Sequence, residues 1–277
     1  MDISYYTDEL LAKDGIWIPK GEINEISYPE DGNAVCYQLE ENSFWFNHRN
    51  QCIARCLENF HNQSDTFFDI GGGNGFVSKY LQNNGYSVCL VEPGIQGVQN
   101  AKSRLVENVV HGTLESAKFK KNTIDSIGLF DVVEHIEDSE KFIQNINEYL
   151  KPNGKVFITV PAFNSLWSVN DVIAGHYKRY TTKSLSDLLE QHNFKMEYCS
   201  YMFRPLVAPL WIMRTIPSKL GMLNEENVRS KTLKHHNNPK KGGSGFLNKL
   251  LNKELQSVKE LKSINFGTSC LAVASKI

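Results

Sequence analysis

The amino-acid sequence predicts an α/β fold: a doubly wound, mostly parallel seven-stranded sheet with helices on both faces and an antiparallel last strand. Short runs rich in β-branched residues alternate with segments in which apolar residues recur at helical spacing. Such alternation requires crossover connections, which make neighbouring strands parallel. A break in the pattern before the last strand predicts an inserted helical lid.

The predicted elements follow one another along the chain. Strands are predicted at 66–70, 87–91, 108–110, 126–130, 155–160, 195–203 and 269–275. Helices are predicted at 44–60, 75–84, 95–104, 139–150, 182–192 and 246–262. The helix at 139–150 has Asp138 or Ser139 as its cap and Pro152-Asn153-Gly154 as its stop, so both of its ends are specified locally.

These elements divide the chain into four parts. Residues 1–62 form N-terminal loops and a helix, and residues 63–203 form the ligand-binding core. Residues 204–263 form the helical insertion, and residues 264–277 complete the sheet. The insertion is predicted to cover a pocket, with a membrane-surface contact or a subunit interface left open as alternatives.

Composition narrows the class of protein. The 277 residues carry a formal net charge of −1, so no strong positive field indicates nucleic acid as a partner. The chain starts without a basic segment followed by an apolar one, and the apolar stretch 205–216 is too short to span a bilayer. None of the six cysteines forms a CxxC pair, which predicts reduced thiols, no metal site and a cytoplasmic protein.

A glycine-rich loop follows the first strand of the core. Its sequence is Asp69-x-Gly71-x-Gly73-x-Gly75, at the edge where open α/β sheets bind ligands. A dinucleotide-binding loop would place its third glycine at position 76, which is Phe76, and no Lys-Ser/Thr pair indicates a triphosphate. The acidic residue beside the loop suits a cationic ligand.

This loop resembles the first motif of the class I S-adenosylmethionine (SAM)-dependent methyltransferases, and the resemblance runs from about residue 67 to residue 161. It implies SAM as the cofactor and S-adenosylhomocysteine (SAH) as its product. Asp69, Gly71, Gly73 and Gly75 would then bind the cofactor. Glu92 ends the next strand, where the family binds the ribose hydroxyls.

Further cofactor contacts follow from the same resemblance. Thr113 and Leu114 occupy the segment that faces the adenine, although the family commonly has an aspartate where this chain has Thr113. Phe130 and Asp131 would line the methionine part of SAM, and His135 would shape the cofactor edge. The six residues 44–49, Phe-Trp-Phe-Asn-His-Arg, resemble a bacterial subgroup of the family, and Arg49 is predicted to meet the SAM carboxylate.

The acceptor side is predicted in the loop after the fifth core strand. Within fourteen residues it gathers Trp167, Asp171, His176, Arg179 and Tyr180. His176 has the intrinsic pKa of a general base, and Asp171 would orient it. Arg179 would bind a phosphate or carboxylate of the acceptor, with Trp167 and Tyr180 as further contacts.

The sequence therefore predicts a SAM-dependent methyltransferase that acts on a small-molecule, sugar or lipid-linked acceptor. Oxygen, nitrogen and carbon acceptors all remain open, as does the oligomeric state. Two alternatives stand beside this prediction. One is a nicotinamide-dependent oxidoreductase, which the glycine spacing disfavours, and the other is a SAM-binding regulator without catalysis.

Overall fold

A computed structural model describes residues 1–21, 37, 40–41, 43–223 and 245–277. Its centre is one mixed sheet of nine strands, which confirms the predicted fold class and adds two strands to the predicted number. The strands are β1 (Leu10–Lys13), β2 (Ile16–Pro19), β3 (Thr66–Ile70), β4 (Ser87–Glu92), β5 (Asn108–His111), β6 (Ile124–Phe130), β7 (Leu150–Pro161), β8 (Phe194–Met202) and β9 (Ser269–Lys276).

Their order across the sheet is β1-β2-β5-β4-β3-β6-β7-β9-β8. The strands from β5 to β7 are parallel, and β9 is antiparallel to both of its neighbours, as predicted for the last strand. The chain winds outward from β3 in one direction and then resumes on the other side at β6. This reversal makes the β3/β6 boundary the switch point at which such sheets bind ligands.

The helices flank the sheet close to their predicted bounds. They are α1 (Phe44–Phe60), α2 (Phe76–Asn83), α3 (Ile95–Ser103), α4 (Ser139–Tyr149), α5 (Val169–Ala174), α6 (Thr182–Gln191), α7 (Val207–Leu210), α8 (Ile216–Lys219) and α9 (Gly245–Lys259). Asp138 caps α4, because its side chain accepts a hydrogen bond from the backbone N–H of Lys141 at 3.0 Å.

The two additional strands correct the prediction that residues 1–62 consist of loops and a helix. β1 and β2 form an antiparallel hairpin, and Trp17 of β2 pairs with Val110 of β5 at the sheet edge. Asp14 and Gly15 join the strands with φ of 52° and 73°, the backbone of a tight hairpin turn. The Asp-Gly dipeptide between apolar runs was the available signal for this hairpin.

Both faces of the sheet are covered. Consecutive residues of β3 point to opposite faces: Phe67 belongs to the core beneath α1 and α2, and Phe68 belongs to the core beneath α4 and α6. Both side chains are fully buried. The five cysteines that the structure describes are free thiols, as predicted, and Cys36 lies outside the described residues.

The two described parts of the insertion lie in different places. Residues 204–223 lie near the carboxyl ends of the strands, where Thr215 donates a hydrogen bond to the Leu166 carbonyl at 3.2 Å and Ser218 accepts one from the Val169 N–H at 2.9 Å. In contrast, α9 packs against α1, beneath the sheet. Among the described residues, no helix combines the length and the hydropathy needed to cross a bilayer.

Candidate functional site

A cavity of about 620 Å³ opens at the carboxyl ends of the parallel strands. Its walls come from the loops after β3, β4, β5, β6 and β7, from α1, and from residues 210 and 214 of the insertion. Thirteen of the sixteen predicted site residues line it: Arg49, Asp69, Gly71, Gly73, Glu92, Thr113, Leu114, Phe130, Asp131, His135, Asp171, His176 and Arg179. The structure thus brings the two predicted halves of the site into one space.

The glycine loop turns sharply away from the end of β3. Gly71 has φ of 68°, and a Cβ there would lie 2.9 Å from a methyl group of Val132. Only glycine fits this position without strain. Gly75, predicted as a cofactor contact, does not line the cavity: it caps the start of α2 with φ of 72°, and a Cβ there would lie 2.8 Å from the Ala101 Cβ of α3. Its role is therefore close packing of the loop onto α3.

Asp69 is fixed at the base of this loop. Its carboxylate is 1% exposed and accepts a hydrogen bond from the Ser78 hydroxyl at 2.6 Å. Burial raises the pKa of Asp69 to about 6, although the Ser78 bond opposes this shift. A cation in the cavity would favour the ionised form, because it would offset the desolvation of the carboxylate.

Glu92 joins two loops at the end of β4. Its carboxylate accepts hydrogen bonds from the backbone N–H groups of Gly73 at 2.9 Å and Gly94 at 2.7 Å. Burial nevertheless raises its pKa to about 7. Each oxygen of an ionised carboxylate has a second lone pair, so Glu92 can also accept from two adjacent hydroxyl donors.

The segment after β5 forms another part of this wall. Leu114 is almost fully buried where it lines the cavity, which fits the predicted apolar packing. The Thr113 hydroxyl accepts a hydrogen bond from the Ser116 N–H at 3.0 Å, and the Ser116 hydroxyl accepts one from the Thr113 N–H at 2.9 Å. Thr113 is therefore engaged in a local turn, which leaves less of its hydroxyl for a ligand.

Arg49 and Asp131 form an ion pair at the cavity wall, although the sequence predicts separate cofactor contacts for them. Asp131 follows β6 with φ of 57° and also accepts a hydrogen bond from the Thr159 hydroxyl at 3.2 Å. The Arg49 guanidinium lies 5.2 Å from the ring centres of Trp45 and Phe46. The pair links α1 to the end of β6.

The opposite wall is organised around the buried carboxylate of Asp171, which is 1% exposed. It accepts hydrogen bonds from His176 Nδ1 at 2.9 Å and from Arg179 at 2.7 and 3.1 Å, and from the Ser168 N–H at 2.9 Å. Burial would raise the pKa of Asp171, but the hydrogen bonds from His176 and Arg179 outweigh it and hold the pKa well below its usual range.

His176 lies beside His135, with the ring centres 4.8 Å apart and the rings nearly perpendicular. Burial and the neighbouring His176 lower the pKa of His135 to about 4, so His135 is neutral at physiological pH. Glu134 precedes it, fully buried, and one of its carboxylate oxygens has no hydrogen-bond partner. Burial raises the pKa of Glu134 well above its usual range.

Two groups of side chains have the donor atoms of a metal site, which the sequence does not predict. Ligand atoms of Glu134, His135 and His176 lie within 4.8 Å of one another, and so do those of His48, Cys52 and Glu254. In the second group, His48 and Glu254 already form a 2.9 Å ion pair. Glu254 also accepts backbone hydrogen bonds at the start of the insertion, which fits a structural role.

Two predicted acceptor contacts do not line the cavity. Tyr180 is buried in the core, because its backbone forms an isolated β-bridge with Ala162. Its hydroxyl lies 3.5 Å from the Val133 carbonyl oxygen. Trp167 is half-buried at the end of a short 3-10 turn. The residues that line the cavity and were not predicted as site residues include Glu40, Trp45, Asn170, Leu210 and Arg214. An isolated arginine in the apolar run 205–216 was the available signal for the last of these.

The comparisons with known proteins agree with this geometry. The family model described as a methyltransferase domain matches residues 44–198. The ubiquinone biosynthesis O-methyltransferase of Rickettsia canadensis is 25% identical over 122 residues, which are 42% of this chain and 51% of that protein. The mitochondrial protein of the same name from Bos taurus is 31% identical over 100 residues, 33% of this chain and 27% of that one. The chain thus spans about half or less of these relatives.

Solved structures share the fold. Phosphoethanolamine N-methyltransferase 2 of Haemonchus contortus, in complex with SAM, superposes with a TM-score of 0.56 at 19% identity and covers 94% of this chain and 61% of that one. A structure described as a sarcosine dimethylglycine methyltransferase, from Galdieria sulphuraria, superposes with a TM-score of 0.55 at 15% identity. The match covers 83% of this chain and 86% of that one. With its matched family model, its switch-point cavity and its glycine loop, the chain belongs to the class I SAM-dependent methyltransferases.

Proposed function

We propose that this chain transfers the methyl group of SAM to a hydroxyl group of a small-molecule acceptor, with His176 as the general base. One observation carries the proposal. The hydrogen-bonded pair Asp171–His176 opens into the same cavity as the glycine loop and Glu92. A proton acceptor and a nucleoside-binding wall therefore share one enclosed space.

The donor side of the cavity fits SAM. Glu92 has free lone pairs for the two ribose hydroxyls, and Asp69 supplies negative charge beside the loop for a cationic ligand. The backbone of Gly71 and Gly73 lets a ligand approach closely. When bound, SAM supplies an electrophilic methyl group on a sulfonium with a neutral leaving group.

The acceptor side fits proton removal. Because His176 Nδ1 hydrogen-bonds to an ionised carboxylate, this nitrogen carries the proton, and the lone pair is on Nε2. Nε2 can take the proton of an acceptor hydroxyl as the new O–C bond forms. Asp171 then stabilises the imidazolium, and the two bonds from Arg179 keep Asp171 in place.

The base favours oxygen over nitrogen as the methylated atom. A neutral amine can attack a sulfonium without prior deprotonation, whereas a hydroxyl gains from a base. The relatives from Rickettsia canadensis and Bos taurus are O-methyltransferases by name, which supports the same choice. Sugar and lipid-linked alcohols carry the same reactive hydroxyl and belong to the same proposal.

In this proposal, residues 204–223 form a partial lid over the acceptor side of the cavity. Leu210 and Arg214 line the cavity from this segment, and its hydrogen bonds to Leu166 and Val169 hold it against the acceptor loop. A segment in this position would shield the transfer from water. The packing of α9 on α1 keeps that helix out of the lid.

The test is a search for the acceptor with labelled cofactor. Full-length protein is incubated with SAM carrying a trideuterated methyl group and a small-molecule extract, and products are identified by mass spectrometry. We expect one or a few products with the label on oxygen, absent when SAH is in excess. SAH binding without labelled product would favour the regulator alternative, and NADH binding without SAH binding would favour the oxidoreductase.

A further inference from the structure

The wall formed by the insertion contributes one cation to the cavity. Arg214 and Leu210 line it, one turn apart on the same face of the insertion. The three residues between them, Trp211, Ile212 and Met213, are 48%, 59% and 73% exposed to solvent on the outside. Arg214 is exposed as well, but it is the one of these four residues that lines the cavity.

Arg214 differs from the other two arginines that line the cavity. Arg49 is paired with Asp131, and Arg179 is paired with Asp171 and donates a further hydrogen bond to the Ala162 carbonyl at 3.0 Å. Among the residues that the structure describes, none forms a hydrogen bond or an ion pair with the Arg214 guanidinium. Desolvation beside the cavity wall and the nearby Arg179 charge lower the pKa of Arg214, although the residue is still exposed to solvent, so an anion placed beside it would be favourable.

The position of Arg214 is fixed by the backbone around it. Residues Trp211–Thr215 form a π-helical turn, a distortion that recurs at functional sites. Immediately after Arg214, the buried Thr215 hydroxyl donates to the Leu166 carbonyl. The guanidinium is therefore presented from an anchored turn.

We propose that Arg214 binds an anionic group, a carboxylate or a phosphate, of the methyl acceptor and so selects acidic acceptors. The inference rests on the proposed function. Arg179, to which the sequence assigned this contact, is occupied by Asp171. The carboxylates of Asp69 and Glu92 favour positive charge at the donor end, whereas Arg214 favours negative charge at the acceptor end. A guanidinium binds either anion through two parallel hydrogen bonds.

The test measures small anions on the full-length protein saturated with SAH. Benzoate and phenyl phosphate are titrated by calorimetry, and benzamide serves as the neutral counterpart of benzoate. The variants are Arg214→Gln and Arg214→Lys. Arg55→Gln is the matched control, because it removes the same charge from an exposed position on α1.

We expect at least one of the two anions to bind the wild-type protein and Arg55→Gln more tightly than benzamide does. In Arg214→Gln the affinity for that anion should fall about tenfold or more, and Arg214→Lys should lie between. The ratio of benzoate to phenyl phosphate affinity identifies which group the site prefers. SAH affinity should be the same in all four proteins.

Three results would overturn the inference: neither anion binds better than benzamide, Arg214→Gln binds both anions as the wild type does, or Arg214→Gln loses SAH affinity by a similar factor. The last result would assign Arg214 to the carboxylate of the cofactor. Failure of methyl transfer itself would appear separately, in the labelled-extract experiment with unaltered protein.

Discussion

The two sides of the cavity are built in different ways. The donor side uses residues 69–114, which follow three adjacent parallel strands, and its main carboxylate is held by backbone N–H groups. The acceptor side joins segments that are far apart in sequence, from residues 161–180 and from the insertion. Side-chain ion pairs such as Asp171–Arg179 hold this side together.

This difference separates a donor side that the fold itself positions from an acceptor side that is particular to this chain. The place of the donor side follows from the sheet and the glycine loop, and two carboxylates at the strand ends, Asp69 and Glu92, complete it. The acceptor side depends on particular charged and aromatic side chains carried by loops. Loops on a rigid scaffold are where specificity usually resides.

The largest effect is expected for His176→Ala. Removal of the base should lower the rate of transfer to the hydroxyl acceptor by about 10²–10⁴-fold. Single-turnover rates with the identified acceptor and labelled SAM would measure this. His192→Ala is the control, because His192 ends α6 and hydrogen-bonds only to a backbone carbonyl, the Leu188 C=O. An unchanged rate in His176→Ala would remove the base from the account.

The next effect concerns stability. Asp171→Asn removes the buried charge that compensates Arg179 and is expected to lower the free energy of unfolding by about 3 kcal/mol, because Arg179, whose side chain is 14% exposed, loses its charged partner. Urea unfolding measures this change. Asp187→Asn, at an exposed pair with Lys183 on α6, should change stability little. A loss below about 1 kcal/mol for Asp171→Asn would contradict the ion-pair account of the acceptor side.

A smaller effect is expected on the donor side as pH changes. Burial places the pKa of Glu92 near 7 in the ligand-free protein, and only the ionised carboxylate accepts hydrogen bonds at both oxygens. Affinity for SAH should therefore be full above pH 7 and fall as pH drops through 7, about tenfold from pH 8 to pH 6. Glu92→Gln should bind weakly with little dependence on pH in this range. A wild-type affinity that is flat from pH 6 to pH 8 would contradict this reading.

Most of the fold could be predicted from the sequence because local signals and tertiary packing agree. The seven core strands and the helices around them have clear periodicity, and their observed bounds differ from the predicted ones by a few residues. The β1–β2 hairpin was missed because its strands are four residues long, too short for a periodic pattern. Its one local signal is the Asp14-Gly15 dipeptide between two short apolar runs.

The sequence predicts the donor side of the site more completely than the acceptor side. Asp69, Gly73 and Glu92 lie at or just after the ends of β3 and β4. The spacing of these strands along the sequence is therefore enough to predict that the three residues line the cavity. The pairing of Arg49 with Asp131 joins residues 82 positions apart, and no local pattern reports it. The place of Arg214 at the cavity depends on the π turn and its anchors, which no local sequence pattern reports.

The central claim is that one cavity binds the cofactor through Glu92 and performs proton transfer through His176, independently. The most direct test is the SAH dissociation constant of Glu92→Gln and of His176→Ala, measured by calorimetry beside the wild type. We predict a loss of about 1.5–3 kcal/mol of binding free energy for Glu92→Gln, since hydrogen bonds to a charged acceptor are weakened, and no significant change for His176→Ala. Unchanged affinity in Glu92→Gln, or an equal loss in both variants, would contradict the account.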